Sequence, residues 1–213
     1  MLERLWKVTG ANGEAIHGGN FTYDLPKWSR TKGWVPGAWT PKVKVVPCES
    51  GYHGCRDQDL LHWCHGERIW AMESRGKVVV HRDGVPGESK VVCESVRLVA
   101  PTPWDATTAR LFAVECAADV AHLMTDARSL DALEVAYRYA LGDATDAELA
   151  AARDAAWAAA LGAAGAAARD AAWDAARDAA WDAARDARHA AHIRNTQRLL
   201  WWLGASDTYP EGE

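Results

Sequence analysis

Cys48, His53, Cys55, His62, Cys64 and His65 crowd into one short stretch, and each can ligate a metal or take part in nucleophilic chemistry. Zinc takes four thiolate, imidazole or carboxylate ligands, and closely paired cysteines are its strongest mark in a sequence. Here six residues separate Cys48 from Cys55, and a His-Trp-Cys-His run follows. Cys48, Cys55, His62 and Cys64 are the four that could form such a set. The plainer reading is buried thiols and surface histidines, with no metal and no cofactor. His53 and Cys55 share one face of an extended segment. A nucleophilic cysteine also needs an orienting third group, and the sequence assigns none. Walker, dinucleotide-glycine, HExxH and GxSxG motifs are all absent.

A second constellation favours binding over catalysis. Residues 27–44 carry Lys27, Arg30, Lys32, Lys42 and Lys44 with Trp28, Trp34 and Trp39, and no acid lies between Asp24 and Glu49. Cationic grooves with aromatic platforms hold single-stranded nucleic acid, and each stacked base contributes about 1–3 kcal/mol. A nucleotide could use the same groups. The competing reading is a Pro/Gly-shaped loop whose indoles cover a sheet while its lysines are merely solvated. With His53 added, these residues form the expected ligand-binding face.

The elements that must position these groups fall into two halves. The chain has 213 residues and a formal net charge of −5. Residues 1–100 hold 14 Lys+Arg against 11 Asp+Glu, whereas 101–213 hold 10 against 18. Lysine is confined to the first half, and a Pro-Thr-Pro sequence at 101–103 marks the seam. The expected class is α+β: a small β-rich domain at 1–100, then an all-helical region with a long Ala-rich helix or helical hairpin. Alternation and turn signals predict strands at 5–8, 43–46, 68–73, 77–81 and 91–99. Asp57 is placed to cap a short helix through Leu60, Leu61 and Cys64.

Helices dominate the second half. Residues 101–143 read as a connector, with one helix opening at Thr102-Pro103 and another from Ser129 to a stop at Gly142. Thr145 and Glu148 form a capping box that starts the Ala-rich region at 144–204. In that region, 26 of the 49 residues at 144–192 are alanine. Arg169, Trp173, Arg177, Trp181 and Arg185 recur every fourth residue, which makes neighbours on a helix surface. Gly162 and Gly165 suggest a hairpin between two helices. The apolar cluster at 198–204 suggests a return to a core, and 205–213 reads as a flexible tail. No run of about 18 apolar residues predicts a membrane span. The N-terminus shows no signal peptide, and the odd number of cysteines fits reduced thiols in cytoplasm.

The run Glu49-Ser50-Gly51-Tyr52-His53-Gly54-Cys55 resembles the E-[RS]-G-[FY]-H-x-C pattern of an uncharacterised domain family of phages and prophages. The likeness continues through a short helix and Met72-Glu73-Ser74-Arg75-Gly76-Lys77-Val78, covering about residues 4–100. Some members carry similar Ala/Arg/Trp/Asp-rich tails. The family carries no activity over; the expected role is a phage-type accessory protein in the host cytoplasm, without enzymatic activity. It would bind a nucleotide, nucleic acid or protein of host or phage, in counter-defence or host takeover. Two alternatives stand beside it. One is a nucleotide-acting enzyme of ADP-ribosyltransferase-like fold, with His53 and Glu73 in its cleft. The other is a structural module that self-associates through its Trp/Ala helices.

Overall fold

A computed structural model describes residues 4–16, 19–82, 89–170 and 177–210, without the side chains of 161–188. The fold is α+β, and the chain divides into two compact units. The first comprises Met1–Asp105 with Thr196–Tyr209, and the second Ala106–Asn195 with Pro210–Glu213.

The first unit is built on a four-stranded antiparallel barrel. Its strands are β1 (Leu5–Thr9), β4 (Tyr52–Arg56), β5 (Arg68–His81) and β6 (Lys90–Pro101), and they close in the order β1-β4-β6-β5. A separate hairpin joins β2 (Lys27–Ser29) to β3 (Gly33–Val35). Closure requires long strands that change partner along their length. β6 pairs with β5 from Lys90 to Pro101 and also with β4 around Cys93, while the start of β5 pairs with β1. Bulges between Ala71 and Met72 and between Arg75 and Val78 supply the bend. Gly76 sits at φ +79° in the second bulge, and a Cβ there would lie 2.5 Å from the Glu94 carboxylate. Gly76 therefore bends one continuous strand where two separate strands were expected. The interior is filled by Leu5, Tyr52, Trp70, Met72, Val96 and Leu98 among others, with Tyr23 and Phe21 meeting Tyr52 edge-on.

Three expected local structures are replaced. Residues 43–46 form no strand: Gly37, Thr40 and Val43 donate to Leu98, Val96 and Glu94 carbonyls of β6. That spacing of three cannot make a ladder, and Pro36, Pro41 and Pro47 lack the donor one would need. Asp57 does not cap α1 (Leu60–Trp63); its carboxylate accepts the Trp6 indole N–H at 2.6 Å. Thr102 does not open a helix, because β6 runs to Pro101 and the Thr102 hydroxyl donates to Ile69 O at 2.8 Å.

The second unit contains α2 (Ala106–Ala118), α3 (Ala127–Leu141), α4 (Asp146–Asp170) and most of α5 (Arg177–Trp202). Helix α3 ends at Gly142 in the left-handed region, φ 86°. The capping box closes both ways: Glu148 N–H donates to Thr145 Oγ1, and Thr145 N–H donates to the Glu148 carboxylate. Helix α4 continues through Gly162 and Gly165, so no hairpin forms there. Its Ala-rich flanks hold the backbone helical despite the two glycines. Trp173 and the side chains of Arg169, Arg177, Trp181 and Arg185 lie outside the described residues.

Candidate functional site

The β2–β3 hairpin gathers most of the cation–indole constellation. Trp28 pairs directly across the ladder with Trp34, and the two rings meet edge-to-face at 5.5 Å and 70°. Arg30, Thr31 and Lys32 form the loop, and Gly33 at φ +69° supplies the left-handed residue that a three-residue hairpin loop needs. Asp24 anchors the base by accepting the Ala38 N–H at 2.8 Å. Trp28 is 65% exposed and Trp34 42% exposed, and Lys27, Arg30 and Lys32 are exposed beside them. A strand pair was not among the sequence expectations for this segment. Its mark was the Trp-x5-Trp spacing around a loop that ends in glycine.

The remaining members separate from the hairpin. Trp39 is half-buried, with the Arg75 guanidinium 4.5 Å and the Arg97 guanidinium 4.7 Å from its ring centroid. Those cations occupy the face a base would use. Lys42 forms an ion pair with Glu94 at 3.1 Å, and Lys44 is exposed. His53 lines a cavity that includes no residue of 27–44, so it does not extend the hairpin face.

That cavity, of about 210 Å³, is lined by Trp6, Lys7, Cys48, His53, Trp63 and Lys90 among others. Lys7 points from β1 into the protein, only 9% exposed. Its ammonium donates to His53 O at 2.7 Å and lies 5.0 Å from the centre of the Tyr23 ring. No carboxylate pairs with it among the described residues. Burial holds its pKa down to about 8, although the nearby Cys55 and Cys93 thiols act the other way. Burial also raises the Cys55 thiol, with the Asp59 charge adding to it, and pushes Cys93 up to about 11. Neither is a ready nucleophile.

Cys48 is the exposed thiol of the cluster, at φ +67°, with its Sγ 3.6 Å from His81 Nε2. Cys55 donates to Trp6 O at 3.9 Å, and Cys64 donates to Leu61 O at 3.2 Å. Among the described residues no three His, Cys, Asp or Glu side chains converge as a metal site. Cys48, Cys55, His62 and Cys64 are thus not assembled as a ligand set. Glu73 is held by Arg97 at 2.7 Å and does not line the His53 cavity. Glu73 is thus not among the residues that line the cavity with His53. Among the described residues, no helix is long and apolar enough to cross a membrane. Compared with known proteins, the chain matches no family model, no curated protein and no solved structure.

Proposed function

We propose that the protein is a binding module for single-stranded nucleic acid and that the β2–β3 hairpin is its contact surface. The observation that carries this reading is the Trp28–Trp34 pair, held open to solvent beside Lys27, Arg30 and Lys32. Exposing two large apolar rings on a short hairpin is costly for an isolated chain, and the surrounding positive charge suits a polyanion. Each indole offers a face to an unstacked base, while the cations meet phosphates. The role is non-enzymatic. Its proposed setting is the one implied by residues 49–55, a phage-type accessory protein acting on host or phage nucleic acid in the host cytoplasm.

The test is titration of the full chain with fluorescently labelled oligo-dT and oligo-U of matched length. Saturable binding is expected, with affinity falling as salt rises. Replacing both Trp28 and Trp34 by Ala should weaken it at least about 30-fold, following two lost stacking contacts of about 1–3 kcal/mol each. Replacing Lys27, Arg30 and Lys32 by Gln should flatten the log–log salt slope by about 2, from roughly 0.7 per phosphate contact. Neither oligomer binding, or binding indifferent to the tryptophans, refutes the reading.

A further inference from the structure

We propose that the cavity beside β1 and β4 is a binding site for a small organic anion carrying a flat ring, separate from the hairpin surface. Lys7 and Lys90 both line it, and no Asp or Glu among the described residues does. The acids of the turn after β4 are already engaged: Asp57 with the Trp6 indole N–H and Asp59 with Arg56 at 3.1 Å. Among the described residues, no carboxylate answers the charge of the buried Lys7 cation. It donates to the neutral His53 carbonyl, and the Tyr23 ring lies against it.

A buried ammonium costs several kcal/mol unless it is paired or releases its proton. An anionic ligand would supply the missing charge beside a buried ammonium, where attraction is stronger than in bulk water. The walls then select shape. Trp6 and Trp63 line the same space, and both indole N–H groups are committed elsewhere, to Asp57 and to Ser89 O at 2.9 Å. What those rings offer a ligand is apolar surface. A volume of about 210 Å³ falls below the range of about 300–1,000 Å³ typical of larger ligands, so one ring and one charged group fill it.

Benzoate is the probe and benzamide its neutral isostere, each titrated calorimetrically into the full chain. Benzoate should bind one per chain, and benzamide at least tenfold more weakly. Lys7→Met should lower benzoate affinity at least tenfold while leaving benzamide unchanged, with native circular dichroism confirming the fold. Lys90→Gln alters a more exposed position and should cost at least threefold, which keeps the test decisive if Lys7→Met does not fold. Trp28→Ala should bind benzoate normally, so failure here and failure of nucleic-acid binding are separable. No benzoate binding, equal affinity for the two probes, or lysine variants that bind benzoate like the parent overturns the assignment.

Discussion

Lys7 sits in an environment that its residue type does not suggest. In Leu5-Trp6-Lys7-Val8 it reads as a solvent-facing position of an alternating strand, yet β1 is buried along its whole length. Because burial depresses its pKa to about 8, the folded protein is penalised at neutral pH, where both folded and unfolded states hold the proton. Between pH 8 and about 10.5 the unfolded chain keeps that proton while the folded one has released it, so this contribution to stability improves as pH rises. Lys7→Met should therefore be roughly 2 kcal/mol more stable than the parent at pH 7, after allowing for the lost bond to His53 O. That advantage should vanish by about pH 10. Urea unfolding of both proteins at the two pH values checks it, and a constant difference would show that Lys7 is not titrating. The cysteines give an independent check on burial. Cys48 is exposed while Cys55 and Cys93 are almost fully enclosed with raised pKa values, so iodoacetamide should alkylate Cys48 first. Peptide mapping after partial labelling reads the order. The 49–55 run gains a packing explanation at this scale. A Cβ on Gly54 would lie 2.4 Å from Met72 Cε, one on Gly51 would meet Val92, and Tyr52 belongs to the core. His53, Gly54 and Cys55 of that run also line the cavity.

At the level of elements, what could be read from the chain followed the range of the forces involved. Thr145, Glu148 and Gly142 act within one helical turn, so the capping box and the stop after α3 were visible in the residues themselves. The strand of β5 was cut in two because a glycine at φ +79° looks like a turn when its partner Glu94 is unknown. Barrel closure depends on β1 meeting both β4 and β5, pairings far apart in sequence that no local pattern encodes. The hairpin site shows the same division. Its cations and indoles were identifiable by type, but their separation from Trp39, Lys42 and His53 emerges only from the fold. Gly142 gives a test of backbone strain free of packing, since a Cβ there meets nothing within 4 Å. Gly142→Ala should cost about 1–2 kcal/mol from the left-handed φ alone. Thermal unfolding followed by far-ultraviolet circular dichroism measures it. A much larger loss would mean that the helix end bears on more than its own cap.

For the molecule as a whole, the seam at Pro101 divides composition better than it divides structure. The barrel unit keeps its chain to Asp105 and then recruits Thr196–Tyr209 from the far end of the sequence. Composition alone could not reveal that, but the apolar cluster at 198–204 marks the return to a core. The burial pattern shows it: Leu199 is fully buried, Leu203 nearly so, and Arg198 is enclosed with its guanidinium against Tyr209. Arg4, one residue before β1, donates to Ala205 O across the same unit. The segments on either side of the second unit's main span, up to Asp105 and from Thr196 to Tyr209, thus form one compact body, and α5 begins in the second unit and finishes in the first. Removing a fully enclosed leucine side chain costs roughly 2–5 kcal/mol, the spread reflecting how far neighbours close the gap. Leu199→Ala should therefore destabilise the barrel unit by that amount, although it lies about 100 residues from the last barrel strand. Amide hydrogen exchange resolved by peptide locates the effect. Exchange should accelerate in peptides from β1, β5 and β6 and stay near parental rates in α3. Faster exchange confined to α5, with the barrel strands unchanged, would show that 196–209 rests on the barrel without supporting it.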